Sequence, residues 1–408
     1  MTKDSTLDTT VAIVGAGPAG MMLAHCLARA GIDVTLLEMH ADFDRDFRGD
    51  TIHASTMEVL DQLGLAENIL QLPHEKMHRA SIYTPQAQYQ IGVFERLKTK
   101  YPYVTLMPQT HFLEFMDKTT SAYPHYRCIR SAPVNRLLRD PSDKVIGIGY
   151  RQAGADKDLH AQLVVGADGR FSRIRKLVGL RPQTQNPPMD VAWCRLSAAA
   201  TLSPGGIHIH QGSLVVLLPR DDGVQVGCVF PKGDFADLKA QGIEAYQKRL
   251  AAAVPALAGA VHELDHWDKV HLLNVKSDCL PQWTVPGLAL IGDAAHVMSP
   301  VGGIGINCAI ADAVATTNVL VNPIREGTLS DDDLAKIQQR RLGPTQTVQR
   351  AQNFVQSQLI QLALANKEFT LPWFIRLIAS TPGLRNLPAR MIAFGPQPER
   401  LDETLFQA

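Results

Sequence analysis

Three clusters of glycine and acidic residues hold most of the chemistry this sequence can do. The first is Gly15-Ala16-Gly17-Pro18-Ala19-Gly20 and the second is Ala167-Asp168-Gly169. The third, Gly292-Asp293-Ala294-Ala295-His296, runs on to Pro300-Val301-Gly302-Gly303-Ile304-Gly305-Ile306-Asn307. Glycines spaced as Gly15, Gly17 and Gly20 let a backbone turn tightly and approach a pyrophosphate. That group would sit on a helix N-terminus, where unpaired N–H groups and the helix dipole favour negative charge. Glu38, a little over twenty residues after Gly15, is placed to accept hydrogen bonds from an adenosine ribose; a free 2′-hydroxyl suits it and a 2′-phosphate is repelled. By itself this cluster leaves FAD and NAD undecided.

The second and third clusters narrow the choice. Asp168-Gly169 follows the apolar run Leu163 to Val165 and precedes Ser172, Arg173 and Arg175. An Asp-Gly after a strand is usually a plain turn, but here the arginines could also screen phosphate charge. In the third cluster, the run Leu288 to Ile291 delivers Asp293, whose carboxylate can accept from ribityl hydroxyls. Pro300 stiffens the next loop, whose glycines lead into a helix starting near Gly305. That helix points its free N–H groups toward the place a flavin N1/C2=O edge would occupy, the edge that becomes negative on reduction.

The elements around these clusters must put them in one place. Val11 to Val14 reads as a strand, Met21 to Ala30 as a helix stopped by Gly31, and Asp33 to Glu38 as a second strand. This β-α-β unit sets the glycines at a strand-to-helix turn. Ser55 to Leu63, closed by Gly64, and Gln109 to Thr119 read as helices, with strand and turn character over 78–95. Cys128 to Arg139 and Lys144 to Tyr150 read as strands of an antiparallel excursion that returns through Leu163 to Val165. From Pro187 to Lys276 the texture changes to strands: Val191 to Ala200, Ile207 to His210, Leu214 to Leu218, Val224 to Phe230 and Lys269 to Val275, interrupted by a helix over Ile243 to Ala253. Residues 330 to 408 read as helical. Ser330 with Asp333 forms a capping start, Pro344 is expected to kink the helix beyond it, and Leu371 to Phe394 is a Pro-punctuated apolar tail.

The fold class is therefore α/β: a doubly wound, Rossmann-like dinucleotide domain of the glutathione-reductase type, an inserted antiparallel or mixed sheet, and a helical C-terminal tail. The expected division is 1–75, 103–186 and 280–325 for the cofactor domain. Residues 76–102 and 187–279 form the substrate-binding sheet, and 326–408 the helical region.

Bulk composition excludes several classes. The 408 residues carry 40 Lys+Arg and 40 Asp+Glu, so no global field recruits nucleic acid or another large polyanion. The six cysteines (Cys26, Cys128, Cys194, Cys228, Cys279, Cys308) show neither zinc spacing nor a disulfide framework. Met1 to Thr10 lacks the apolar run of a secretory signal, and no uninterrupted apolar run approaches the ~18 residues of a spanning helix. A cytoplasmic protein without integral membrane association is expected, as monomer or homodimer.

In these motifs the chain resembles the single-component, FAD-dependent monooxygenases of the para-hydroxybenzoate hydroxylase type. The resemblance runs along the chain in order and is strongest at residues 11–64, 163–175 and 287–312. It implies tightly bound, non-covalent FAD held by Gly15, Gly17, Pro18, Ala19, Gly20, Glu38, Asp168, Gly169, Asp293, Pro300, Gly303, Gly305, Ile306 and Asn307. Arg48, in Phe47-Arg48-Gly49-Asp50-Thr51, matches the family's arginine near the pyrophosphate, and Gln109 resembles a residue that contacts the FAD. The implied cycle is reduction by NADH or NADPH, addition of O₂ to give a C4a-hydroperoxide, and oxygen transfer to a small aromatic or heteroaromatic substrate.

On the substrate side, His53 lies just beyond the Arg48 segment and is a candidate base on a hydroxyl near neutral pH. His208 and His210 share one face of a strand and could address a phenol. Arg195 and Trp193 are candidates to line the pocket of the inserted sheet: an inward basic residue suits a carboxylated ring, and its absence an apolar one. His296 is read as packing beside the flavin. Competing readings are another FAD oxidoreductase of this fold (a reductase, an oxidase or a membrane-associated quinone-pathway hydroxylase) and a non-catalytic carrier. Leu371-Pro372-Trp373-Phe374-Ile375 is neither the W-x-W-x-I-P motif of flavin halogenases nor in its place.

Overall fold

Val11, Ala12, Ile13 and Val14 are apolar on both faces of a strand, which only a sheet covered on both sides tolerates. In the computed structural model, which describes residues 7–43, 51–185, 187–197, 205–210, 212–365, 369–381 and 383–407, this run belongs to the strand Leu7–Val14 at the centre of an eight-stranded sheet. It pairs in parallel with Ala155–Gly166 on one side and Val34–Leu37 on the other; Val11 stands opposite both Leu163 and Val34. Leu288–Leu290 extends the parallel set beyond Ala155–Gly166, and Tyr126–Ile129 beyond Val34–Leu37.

Val11 and Ile13 face the helices Pro18–Arg29 and Gly305–Arg325, through Met21, Leu27, Ile310 and Val314. Ala12 and Val14 face the opposite layer, with Tyr150, Ile174 and Trp283. The helix Gly305–Arg325 lies in a stretch long and apolar enough to cross a bilayer, yet that stretch is largely buried inside the fold.

The second sheet has seven strands in the order His271–Leu273, Met189–Leu196, Gly223–Pro231, Ser213–Arg220, Gly206–His210, Arg79–Tyr83 and Gln88–Val93. It is antiparallel apart from the pairing of Gly206–His210 with Arg79–Tyr83. Ala192, Cys194, Val215, Leu217, Val226 and Cys228 face the helices Asp234–Ala240 and Ile243–Ala253. The other face carries Val191, Trp193, Ile207, Ile209, Leu214, Val216 and Val229, and meets residues of 355–364, Phe369 and Leu371 together with Val301.

Several expectations are corrected. Cys128–Ile129 is the end of the parallel edge strand Tyr126–Ile129; Ser131, with φ 52°, ends it before the antiparallel strand Val134–Arg139 begins. Of the stretch Lys269 to Val275 only His271–Leu273 forms a strand, and the helix Asp234–Ala240 has no distinct sequence signal. Ser330 and Asp333 form a reciprocal capping box, but the helix they start runs unbroken through Pro344 from Asp331 to Val355. The irregularity comes later, as a π-helical turn over Gln356–Ile360. The tail divides into two short helices, Trp373–Ser380 and Asn386–Phe394.

Candidate functional site

The carboxyl ends of the parallel strands Leu7–Val14, Ala155–Gly166 and Leu288–Leu290 lie side by side, and each leads into one of the three clusters. After Leu7–Val14, Gly17 caps the helix and Pro18 is its first residue, where a missing N–H costs nothing. A Cβ on Gly20 would lie 2.0 Å from the Gly15 carbonyl oxygen, so the helix can sit this close to its loop only with glycine there. A Cβ on Gly17 would meet nothing within 4 Å, which leaves open space over the helix N-terminus. Glu38 is buried at the end of the neighbouring strand. Its carboxylate accepts from the Ala16 N–H at 2.9 Å and the His40 N–H at 3.0 Å, tying the acid to the glycine loop.

Asp168 organises its own turn. It accepts from Ser172 Oγ at 2.5 Å and from the N–H groups of Arg173 and Ile174 at 2.6 and 3.0 Å, which starts the helix Arg173–Leu177. Burial raises its carboxyl above the ordinary carboxylate value, with these bonds opposing. Gly169, at φ 77°, completes the turn. Arg175 is neither solvated nor aimed at open space: it is buried, donates to the Ala294 and Arg170 carbonyls, and lies 3.5 Å from Asp278. Arg170 lies 3.8 Å from Asp293, so the second and third clusters touch.

The third cluster rests on residues that carry no motif. The turn Gly292–Ala294 donates its first N–H to Asp312 Oδ2 at 3.0 Å, and His296 Nε2 donates to the same oxygen at 2.6 Å. Asp312 Oδ1 accepts from Arg341 Nε at 2.9 Å, and Arg341 approaches Glu399, which also binds Arg340. Asp312 is fully buried. Burial alone would raise its carboxyl; His296 and Arg341 outweigh that and hold it below the ordinary value. His296 packs on Trp283 with ring centroids 5.0 Å apart.

Pro300 precedes the tight turn Val301–Gly303. Gly303 has φ 61°, and a Cβ there would lie 2.3 Å from Thr51 Oγ1, which donates to the Gly303 carbonyl at 2.7 Å. Asn307 joins both sides: its Nδ2 donates to the Thr51 and Gly303 carbonyls, and its Oδ1 accepts from the His53 N–H and Thr56 Oγ1. Gly305 and Ile306 open the long helix, whose first N–H groups have no partner within it.

His53 caps the helix Ala54–Gln62 and is 1% exposed. Its Nδ1 donates to the Ile392 carbonyl at 2.7 Å, and burial brings its pKa down to about 4 despite that bond. The geometry makes it a neutral anchor for the C-terminal helix and does not support the expected base near neutral pH. Gln109 is the first residue of the helix Gln109–Thr120. His210 and His208 alternate with Ile207 and Ile209 and so face the opposite way from Trp193 and Val216; His208 stacks on Tyr83 at 4.6 Å. The structure therefore does not bring His210 to the side of the sheet where Val301 packs. Arg48 lies outside the described residues.

This donor set fits FAD: two helix N-termini for anionic groups, Glu38 and Asp293 for sugar and ribityl hydroxyls, and clear space beside Gly17. Residues 8–351 match the FAD binding domain family. The chain is 33% identical over 403 residues to 6-methylpretetramide 4-monooxygenase of Streptomyces rimosus, covering 98% of this chain and 95% of that protein. Among solved structures, p-nitrophenol 4-monooxygenase of Pseudomonas putida superposes with a TM-score of 0.77 at 19% identity, over 96% of this chain and 100% of the other. PqsL of Pseudomonas aeruginosa, in complex with 2-aminobenzoylacetate, gives 0.75 at 22% identity, over 89% and 98%.

Proposed function

The chain belongs to the FAD binding domain family as an FAD-dependent monooxygenase of the aromatic hydroxylase type, and from that premise we propose that it hydroxylates a planar, polycyclic phenol, using NADH or NADPH and O₂. Bound FAD would supply the redox chemistry: two electrons taken as hydride from NADH or NADPH and passed to O₂, one oxygen atom going to the ring and the other leaving as water. The residues of this chain bind, orient and exclude water. Gly15 to Gly20 and Glu38 would hold the adenosine half. The Asp168 turn and Arg48 would serve the pyrophosphate, and Gln109 would contact the FAD. Asp293 would take the ribityl chain, and the N–H groups at Gly305 and Ile306 the developing charge on the ring.

The observation that supports a polycyclic substrate is the face of the seven-stranded sheet against which Val301 packs. Its middle row runs Trp193, Gly227, Val216, Ile207, with the Trp193 ring laid over Gly227: a Cβ on that glycine would be 2.7 Å from the ring. We read this aromatic row, which shares its face with the packed side chains of Leu359, Ile360, Ala363, Phe369 and Leu371, as the floor on which a flat ring system would lie. Among the described residues, the charged side chains on this face, Arg195 and Arg220, stand at one end. Arg195 pairs with Asp222 at the rim, while Arg220 is buried and donates to Gln225. An oxygen-bearing edge of the substrate would point toward Gln225 and Arg220, and its rings toward Trp193. The name of the 33% identical relative, which acts on 6-methylpretetramide, agrees with such a substrate.

The test is NADH and NADPH oxidation by the yellow holoenzyme across single-ring and polycyclic phenols, with product mass read for one added oxygen. Stimulation and oxygenation confined to the polycyclic compounds is the expected result. Faster turnover with single-ring carboxylated phenols would overturn the substrate class, and a preparation that retains no FAD would overturn the enzyme reading.

A further inference from the structure

The C-terminal region presents a surface that the monooxygenase chemistry leaves without a task. Among the described residues, seven of the ten large apolar side chains that stand exposed lie between Phe354 and Met391. Two helices repeat one arrangement. On Trp373–Ser380, Trp373, Arg376 and Leu377 share one side; on Asn386–Phe394, Leu387, Arg390 and Met391 do the same. All six are exposed, Trp373 by 71% and Leu387 by 62%. The other sides of these helices hold them to the molecule: Ile375 packs on the cluster of Val191 and Phe369, while Ala389 and Ala393 are buried with Phe94 and Leu106. The stripes are thus displayed from docked helices that touch the strand Gln88–Val93.

The charge of this surface is one-sided. Residues 369–398 contain Arg376, Arg385 and Arg390 and no Asp, Glu or Lys, in a chain whose total is zero. We propose that this face docks on an anionic lipid bilayer, with Trp373, Leu377, Leu387 and Met391 seated at the boundary between headgroups and acyl chains. Arg376 and Arg390 stand beside those residues, where their long stems can lie along apolar surface while the guanidinium groups reach lipid phosphates. Charge decides against a second copy of the chain as the occupant. A two-fold contact through this face would set arginines against arginines, with no acid in residues 369–398 to neutralise them. The proposal is independent of the substrate assignment.

The experiment uses full-length holoenzyme and vesicles of phosphatidylcholine, alone or mixed with phosphatidylglycerol, read by co-sedimentation and by tryptophan emission. Binding to the anionic vesicles at low salt is expected to be at least about tenfold tighter than to the neutral ones and to weaken as salt rises. Arg376→Gln and Arg390→Gln should each weaken it by about fivefold. The double variant Trp373→Ser, Leu387→Ser should abolish it with FAD content unchanged. Two results would overturn the proposal: no preference for anionic vesicles, or a dimer in sedimentation equilibrium that the Trp373→Ser, Leu387→Ser variant dissociates, which would assign the face to a second copy.

Discussion

Asp312 is a fully buried carboxylate with three donors upon it: the Gly292 N–H, His296 and Arg341. Its removal would leave a buried arginine without its nearest anion, the costly way to break such a contact. Asp312→Asn should therefore destabilise the protein by about 3–5 kcal/mol and loosen the turn that carries Asp293. The measurements are the thermal midpoint and the rate of FAD release, with Trp283 emission reporting on the His296 contact. Wild-type stability at neutral pH with unchanged FAD release would refute this role. A second residue-scale prediction concerns acid. His53, held at about 4 by burial, binds a proton far less readily in the folded chain than at its ordinary 6.5. His25 is likewise lowered to about 4, by burial first and then by Arg29. Between those values the unfolded chain binds more protons, so stability is full above 6.5 and falls as pH drops toward 4. His53 alone accounts for roughly 3 kcal/mol of that fall. Denaturant midpoints measured across this range should show a shallower decline in His53→Gln; an identical slope would remove His53 as the cause.

At the scale of elements, the glycine loop and its helix behave as one piece. Because a Cβ at Gly20 would meet the Gly15 carbonyl at 2.0 Å, Gly20→Ala must push the helix Pro18–Arg29 off the loop and displace the N–H groups that the proposed function gives to the pyrophosphate. FAD affinity should fall by at least about tenfold, read by quenching of flavin fluorescence on titration; affinity within twofold would show that the loop adapts. This unit is legible in the sequence because its signals are local: a short apolar run, glycines at fixed offsets and an acid at the end of the next strand. The helix Ile243–Ala253 and the Ser330–Asp333 cap are legible for the same reason. Asp312, Arg341 and Glu399 are not, because each reads as an ordinary charge on a helix or loop and their partners lie 29 and 58 residues away. Asn307 stands out in the sequence as part of the flavin motif; that it clamps Thr51, His53 and Gly303 depends on a contact across more than 250 residues. Cys128 and Ile129, the end of the parallel strand Tyr126–Ile129, read as the start of an antiparallel excursion because alternation carries no information on strand direction. Helix formation through Pro344 comes from the packing of Leu334, Ile337 and Val348, which outweighs a local preference.

Across the whole molecule, the proposed function assigns the flavin to one sheet and the substrate to the other, and this division can be tested by opposite failures. The parallel sheet brings the ends of Leu7–Val14, Ala155–Gly166 and Leu288–Leu290 together, while the seven-stranded sheet carries Trp193 and Gly227 on the face against which Val301 packs. The C-terminal chain then locks the first sheet's helices. The Ile392 carbonyl holds His53, both backbone groups of Leu401 hold Gln62, and Arg400 reaches Glu58. A change on the Trp193 floor should therefore be felt by the substrate and not by the flavin. Trp193→Ala removes an aromatic surface worth roughly 1.4 kcal/mol to a stacked ring, so KM for a polycyclic phenol should rise about tenfold, while FAD affinity stays near wild type; the thermal midpoint should fall, because the ring is packed in its cluster. Gly227→Val tests the same floor differently, because its side chain must displace the Trp193 ring and should impair large substrates more than single-ring ones. Gly20→Ala should give the reverse pattern: weakened FAD binding, with KM unchanged once FAD is saturating. If Trp193→Ala released FAD, or Gly20→Ala raised KM at saturating FAD, the two sheets would be one energetic unit, and a substrate floor separate from the flavin cradle would have to be abandoned.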